Sequence, residues 1–124
     1  MAVSVEYRDR GFFIEHKGTV TIDEINEVNG AVHGHSQFDA HRFQVVNLLE
    51  ADFSQISYER SEEPAATDFV ASQALGRVRV ALVARDGAAV RFCRLYIEES
   101  KEFGSPWEFE VFEDQEAAVE WATA

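Results

Sequence analysis

Basic residues are scarce in this sequence, in which 11 Lys and Arg face 23 Asp and Glu for a formal net charge of −12. Nucleic acid and anionic membrane surfaces are bound through clustered Lys and Arg. The only local basic excess is the pair Arg77 and Arg79, because Arg85, Arg91 and Arg94 are scattered between apolar residues. The composition therefore predicts a protein that binds neither nucleic acid nor a membrane surface, and whose acidity favours solubility.

Cysteine and long apolar runs are also lacking. The single cysteine, Cys93, cannot form an intramolecular disulfide, and no stretch approaches the roughly 20 apolar residues of a membrane span. The N-terminal residues do not combine a basic segment with an apolar run, so we expect no secretory signal. Together these absences predict a cytoplasmic location, where thiols stay reduced.

Apolar residues for a core are nevertheless abundant. Hydrophobic residues make up 46% of the 124 positions and include ten Phe and two Trp. A chain of this length buries about two-thirds of its surface on folding, so neither a disulfide nor a metal is needed. Because no segment has the composition of a long linker, residues 1–124 are predicted to form a single domain.

The first half of the chain predicts a hairpin, a helix and a buried strand. Val3, Val5 and Tyr7 alternate with polar residues, as in a half-buried strand, and the turn at 9–11 leads to a second strand ending near Lys17.

A helix follows from Thr21, which has the capping-box spacing to Glu24, and it ends before Gly34. Residues 35–42 are a polar loop or an extra turn. Residues 43–49 form an apolar run typical of a strand buried on both faces.

The second half alternates helices and strands. Residues 50–60 are a polar connection, and Ser61 is predicted to cap a helix that ends at Gly76. The apolar stripe of that helix is predicted to be Ala66, Phe69, Val70 and Ala74. Residues 78–84 are a buried strand, 88–103 a helix and 107–112 a strand, and Asp114 caps the last helix.

The predicted order is therefore β-β-α-β-α-β-α-β-α. Such alternation predicts the α/β class, with a mainly parallel, mixed sheet, an antiparallel N-terminal edge strand and helices on the faces of the sheet.

Three segments resemble STAS-like domains, the fold of anti-sigma-factor antagonists, and within it a subfamily that also looks like CRAL-TRIO lipid-binding domains. Residues 43–53 are similar to the third strand of that family and the acidic, aromatic corner after it. Residues 76–84 are similar to its fourth strand, and residues 109–121 to its closing strand, acidic cap and Ala-x-x-Trp helix. The resemblance covers nearly the whole chain in order and length. It implies the STAS-like fold.

The resemblance also implies a phosphorylation switch at a serine that begins the second helix, in an Asp-Ser-Ser-Gly context. The nearest match, residues 59–62, has one serine and no glycine. A phosphate on Ser61 would be stabilised by the positive end of the helix dipole but would be repelled by the carboxylates of Glu59, Glu62 and Glu63. We therefore expect Ser61 to act as a helix cap and not as a phosphorylation site.

No motif predicts catalysis, a metal or a cofactor. His33, His35 and His41 lie near Asp39, but zinc sites have tighter paired spacings and cysteines, so exposed loop histidines are predicted. Cys93 falls on an apolar helix face, which predicts a buried structural thiol. The sequence has no nucleophile elbow, P-loop or dinucleotide-binding fingerprint, so we expect no enzyme.

Two groups of residues are candidates for binding. Ligands of open α/β sheets lie beyond the carboxyl ends of the parallel strands. The candidate ligand- or partner-binding residues there and in the serine-bearing loop are Asp52, Phe53, Ser54, Ser57, Ser61, Arg85 and Asp86. An apolar pocket between helices would be lined by Phe69, Phe92, Tyr96 and Phe103, although aromatics more often fill the core.

The sequence thus leads to two hypotheses of function. The first is a non-catalytic regulatory or protein-interaction module, whose contacts are made by residues 50–60 and the start of the second helix. The second is a carrier of a small hydrophobic or lipid-like ligand, as the CRAL-TRIO likeness implies. A homodimer formed through the edge strand or an apolar helix face is compatible with both.

Overall fold

A computed structural model describes residues 2–124, in which one five-stranded sheet packs against four α-helices. The strands are β1 (Ala2–Arg8), β2 (Gly11–Thr19), β3 (Phe43–Asp52), β4 (Arg79–Val83) and β5 (Glu108–Phe112). The helices are α1 (Ile22–His33), α2 (Glu62–Ser72), α3 (Gly87–Phe103) and α4 (Gln115–Thr123). Two 3₁₀ turns, Phe38–Ala40 and Tyr58–Arg60, precede β3 and α2.

The strands lie in the sheet in the same order as in the chain. β1 pairs with β2 antiparallel, and the pairs β2–β3, β3–β4 and β4–β5 are parallel. The predicted α/β class, the mixed sheet and its antiparallel N-terminal edge strand are confirmed. Residue patterns were sufficient here because each strand has an apolar or alternating sequence and is bounded by a turn or a helix.

The helices are divided unequally between the two faces of the sheet. The three helices that connect parallel strands, α1, α2 and α3, bury their apolar residues in one core with Phe12, Ile14, Val80 and Leu82. Neighbouring parallel strands joined by crossovers of one handedness place all their connectors on the same face. The last helix, α4, covers the opposite face, where Ala118 and Ala122 pack against Phe13, Phe43 and Val45.

The β1–β2 hairpin turns through Asp9 and Arg10, which both have positive φ, 53° and 67°. Arg8 pairs with Gly11 across this two-residue turn, the mirror-image type whose twist suits a hairpin. The prediction of a half-buried first strand is wrong, because Val3 and Val5 are 38% and 39% exposed. The helices pack over the inner strands and leave this edge strand at the rim.

Helix α2 presents a different face to the core from the predicted one. Its buried residues are Pro64, Ala65, Asp68 and Ser72, not the stripe predicted from Ala66 to Ala74. Val70, a member of that stripe, is 71% exposed. Small side chains allow α2 to lie close to α3, so size and not hydrophobicity selects the buried face.

The helix caps follow the sequence in part. Asp114 caps α4 as predicted, because its Oδ1 accepts from the Ala117 amide at 2.8 Å. Thr21 Oγ1 accepts from the Glu24 amide at 3.3 Å. The reciprocal bond from the Glu24 side chain, which would complete the predicted capping box, is absent from the part of the chain that is described.

No helix within residues 2–124 has the length and apolarity to cross a membrane.

Candidate functional site

The predicted carboxyl-edge residues share one edge of the sheet but do not form one cluster. β4 ends at Val83, which pairs with Asn47, whereas β3 continues to Asp52. At the usual rise per residue of a β-strand, the extension of β3 from residue 47 to residue 52 is roughly 15 Å long. Asp52 therefore lies farther along the strand direction than the end of β4, and among the described residues no hydrogen bond joins it to Arg85 or Asp86.

Arg85 and Asp86 both have roles in holding the fold together. Arg85 Nε donates to the carbonyl of Glu113 at 2.8 Å, which ties the end of β4 to the end of β5. Asp86 caps α3 by accepting from the Ala88 amide at 3.2 Å. Both residues are exposed, but these hydrogen bonds give each side chain a structural role that requires no ligand.

The loop after β3 has a buried anchor and an exposed polar face. Phe53 is only 2% exposed, and its ring lies 5.2 Å from that of Phe92. Asp52 Oδ1 accepts from the Ser54 amide at 2.8 Å, and hydrogen bonds from the Ser54 side chain and amide lower the pKa of Asp52. Ser54 and Ser57 are exposed. Of the predicted residues in this loop, the two serines and Asp52 are therefore accessible to a partner, and Phe53 belongs to the core.

Ser61 does not cap α2, so this prediction is wrong. Its backbone is already helical, because the 3₁₀ turn Tyr58–Arg60 runs directly into the helix, and its side chain makes no capping bond. Ser61 is 4% exposed, and its Oγ donates to Glu99 Oε2 at 3.2 Å. Burial is the main reason that the pKa of Glu99 is raised.

Arg60 fastens the same loop to two helices. Its guanidinium donates to Glu63 Oε2 at 2.8 Å and to Asp23 Oδ1 at 2.7 Å. These bonds lower the pKa of both carboxyl groups. The exposed serines are therefore presented by a loop that is bonded at its C-terminal end to α1 and α2.

The four aromatic residues of the predicted apolar pocket separate into two pairs. Phe92 and Tyr96 line a cavity between the sheet and the helices α1, α2 and α3. Phe69 and Phe103 stack on each other with centroids 5.9 Å apart, outside that cavity, and Phe103 is 38% exposed. The second pair contributes to the surface around Val70.

The internal cavity is small. Its volume is about 60 Å³, whereas sites for drug-sized ligands occupy roughly 300–1,000 Å³. Its wall is mixed, since the polar side chains of His16, Gln44 and Asp68 face it together with Phe92 and Tyr96. In this conformation it has room for water or a molecule of a few atoms, and not for a lipid.

Asp68 is the centre of a buried polar cluster beside this cavity. One of its carboxylate oxygens accepts from the Tyr96 hydroxyl, and the other lies 2.8 Å from His33 Nε2. Burial is the first of the causes that raise the pKa of Tyr96 well above its usual value, so the phenol stays protonated. The cluster joins α1, α2 and α3 through one carboxyl group.

The prediction of exposed loop histidines is wrong, because His41 is buried, and His33, the last residue of α1, and His35 are both half-buried. His41 is 3% exposed, its Nδ1 contacts the Phe38 carbonyl, and its Nε2 lies 3.2 Å from Gln44 Nε2. His33 is engaged by Asp68 in the partly buried cluster. Across residues 2–124, no three His, Cys, Asp or Glu side chains are arranged to hold a metal ion.

Sequence patterns missed the polar residues of this interior, above all Asp68, His16 and Gln44. His16 is 4% exposed, and its Nδ1 has no hydrogen-bond partner among the described residues. Burial lowers the pKa of His16 and His41. Each of these polar residues is isolated in an otherwise ordinary helix or strand, so periodicity carries no signal for it.

Cys93 is buried in α3, as predicted. Burial raises the pKa of its thiol to about 12, with a smaller opposing effect of Arg94. Since the thiolate is the reactive form of cysteine, this residue is a poor nucleophile.

The fold is shared with two solved structures. An uncharacterised protein of the DUF3478 family with a SpoIIAA-like fold, from Shewanella loihica PV-4, is 15% identical with a TM-score of 0.62, over 98% of this chain and 92% of that chain. An anti-sigma factor antagonist from Mycobacterium paratuberculosis is 14% identical with a TM-score of 0.67, over 99% of this chain and 94% of that chain.

These likenesses confirm the STAS-like fold that was predicted from residues 43–53, 76–84 and 109–121. At identities this low they show the fold alone. No protein-family model matches the sequence, and a search of curated proteins found no match.

Proposed function

We propose that this STAS-like domain is a non-catalytic regulatory module that acts by binding a protein partner. The observation that carries the proposal is an apolar patch on the outer side of α2, which we call the α2 patch. It consists of the exposed Val70, Ala74 and Phe103 and the partly exposed Ala66 and Phe69, and its Val70 is 71% exposed. Apolar side chains grouped on a surface in this way favour an interaction site.

The rim of the α2 patch indicates the chemistry of the partner. Glu62 lies one helical turn before Ala66, and Glu102 precedes Phe103, with Lys101 the nearest basic residue in sequence. In a protein of net charge −12, acidic residues at the edge of an apolar surface favour a partner whose apolar side chains are flanked by Lys and Arg. Ser54 and Ser57, which belong to the predicted contact region at residues 50–60, are also exposed.

The fold of an anti-sigma factor antagonist supports a regulatory role of this kind, because that protein shares nearly the whole topology. The buried thiol of Cys93, with its raised pKa, supports the non-catalytic part of the proposal. A cytoplasmic location fits a protein with a single free cysteine.

The carrier hypothesis has less support. The cavity of about 60 Å³ would have to expand several-fold to enclose a lipid-like molecule. The homodimer, formed through the edge strand or an apolar helix face, remains a prediction.

The test is a binding assay with a matched pair of variants. Proteins captured by the wild-type domain from a lysate of its source organism are identified, purified and titrated against wild type, Val70→Asp and Val5→Asp. Both substitutions place a carboxylate on an exposed valine, so both variants are expected to fold. We expect Val70→Asp to weaken binding of the true partner by roughly tenfold or more, with Val5→Asp unchanged. An equal loss of affinity for the partner in both variants, or no loss in either, would contradict the proposed binding surface.

A further inference from the structure

Four arginines converge on one surface concavity at the amino ends of β3 and β4. They are Arg10, Arg42, Arg77 and Arg79, which are four of the 11 basic residues in the chain. The concavity has a volume of about 350 Å³. Along the sequence only Arg77 and Arg79 are close together, and the fold adds the other two.

Main-chain hydrogen bonds hold the three segments of this arginine cluster together. The Arg42 amide donates to the Arg10 carbonyl at 2.7 Å, and the Arg79 amide donates to the Arg42 carbonyl at 3.2 Å. The side chains therefore start from fixed positions. A cluster built from the β1–β2 turn, the residue before β3 and the start of β4 is a product of the sheet itself.

The four guanidinium groups are not equally engaged. Arg79 is fixed by Glu108 at 3.1 Å, by the Trp121 and Ala124 carbonyls at 2.7 and 3.2 Å, and by the Trp121 ring. Arg77 makes only a long contact of 3.6 Å with Glu108, and its side chain is 85% exposed. Neither Arg10 nor Arg42 forms a salt bridge to any residue in 2–124.

The local charge balance is therefore opposite to that of the whole protein. Asp9 and Glu108 are the acidic side chains that line the concavity, against four guanidinium groups. Arg77 and Arg79 share the carboxylate of Glu108, whereas Arg10 and Arg42 contact none among the described residues, so the four guanidinium groups exceed the two carboxylate side chains of the lining. Such a surplus is suited to an anion supplied from solution.

We infer that this concavity binds a compact, multiply charged phosphate, such as a diphosphate group. The planar guanidinium donates in pairs to phosphate oxygens, so Arg10, Arg42 and Arg77 match a ligand with several such oxygens. The wall offers no aromatic ring for stacking a base, because its one aromatic residue, Phe43, is 3% exposed. The site recognises the phosphate groups and not a nucleobase.

The net charge of −12 favours a compact anionic ligand over a polyanion such as nucleic acid. Screening at physiological salt limits the reach of exposed charges to roughly 8–10 Å, so a small ligand experiences mainly the charges that line the concavity, in which the guanidinium groups exceed the carboxylates. A nucleic acid or an anionic membrane would also meet the acidic surface around it. This inference is independent of the α2 patch, which lies on the outer side of another element.

The backbone of Arg10 is consistent with a functional role. Its φ of 67° lies in the left-handed region, and glycine is the residue that this position of a mirror-image hairpin turn favours. An arginine occupies that position although its backbone is strained there.

The test is calorimetric titration of the full chain with inorganic pyrophosphate, and with orthophosphate as the weaker anion. We expect submillimolar binding of pyrophosphate, weaker binding of orthophosphate, and loss of affinity as salt is added. Arg42→Gln and Arg77→Gln are each expected to weaken binding roughly tenfold. The control is Arg94→Gln, which removes the same charge from an exposed position on α3.

Three results would overturn the inference. They are absence of binding at millimolar pyrophosphate, equal weakening by Arg94→Gln, and binding of a nucleic acid duplex more tightly than pyrophosphate. Because Arg77 is largely exposed, a folded Arg77→Gln protein is expected even if Arg42→Gln proves unstable. The inference therefore stays testable with that variant.

Discussion

Ser57 and Ser61 are four positions apart but lie in opposite environments. Ser57 is exposed in the loop before α2, whereas Ser61 is 4% exposed and donates to Glu99. A negative charge at Ser57 would be solvated. At Ser61 the same charge would be buried against a carboxylate, and burial of an unpaired charge is strongly unfavourable.

We predict that Ser61→Glu lowers the free energy of unfolding by about 2–4 kcal/mol, and that Ser57→Glu changes it by less than about 0.5 kcal/mol. Urea denaturation followed by circular dichroism measures both. Equal stability of the two variants would show that Ser61 accepts a charge without cost. That result would reopen the phosphorylation switch implied by the family resemblance.

His16 and His41 make stability depend on pH. Burial is the main cause that lowers the pKa of each from its usual value of 6.5, so the unfolded chain binds more protons than the folded chain below that pH. Their contribution to the free energy of unfolding is therefore complete above about pH 6.5 and is lost as the pH falls toward the folded-state pKa values. Glu24 opposes the effect of burial on the pKa of His16. At His41 the hydrogen bond with the Phe38 carbonyl opposes it most, followed by Asp39 and Asp68, whereas His33 lowers the pKa further.

We predict that His16→Gln and His41→Gln each reduce the loss of stability between about pH 7.5 and pH 5.5. Urea denaturation at the two pH values, for wild type and both variants, measures this difference. Repulsion among the acidic surface groups changes equally in all three proteins, so the comparison removes it. The same pH dependence in wild type and variants would mean that these histidines are protonated as readily in the folded state as in the unfolded state.

At the scale of elements, the β1–β2 turn holds two residues at positive φ, neither of which is glycine. Each non-glycine residue in this region costs roughly 1 kcal/mol or more. The strain is concentrated at Arg10, since aspartate enters this region more readily than arginine.

We predict that Arg10→Gly raises the free energy of unfolding by about 0.5–1 kcal/mol, because glycine adopts this conformation freely. Ser4→Gly, in the adjacent and exposed β1, is the control and is expected to lower it by about 0.5–1 kcal/mol. Thermal denaturation of the two variants gives the comparison. Destabilisation by Arg10→Gly would mean that contacts of the arginine side chain outweigh the backbone strain.

Sequence patterns predicted the elements far better than their orientation. The run at residues 43–49 and the alternation in the hairpin indicated the correct strands. In α2, however, Val70 is exposed and Phe69 is only half-buried against Phe103. The smaller residues Pro64 and Ala65 are the ones that face the core. Periodicity weighs hydrophobicity alone, whereas the packing of α2 against α3 depends on how closely the two backbones can approach.

At the scale of the whole molecule, the STAS-like fold was predictable because it is encoded by the order of elements. The two proposed sites were not predictable in this way. The α2 patch exists because the helix is rotated away from its predicted stripe. The arginine cluster exists because a turn, a loop and a strand end meet in the folded sheet. Both depend on contacts between segments that are distant in sequence.

The central claim about the whole molecule is that it binds its partner through the outer surface and carries no ligand in its interior. Native mass spectrometry of the purified protein, followed by denaturing extraction, tests this claim most directly. We expect the mass of the polypeptide alone, or a simple multiple of it, with no apolar molecule released. A lipid-sized molecule that is lost on denaturation would contradict the claim, because the cavity of about 60 Å³ would then have to expand to hold it.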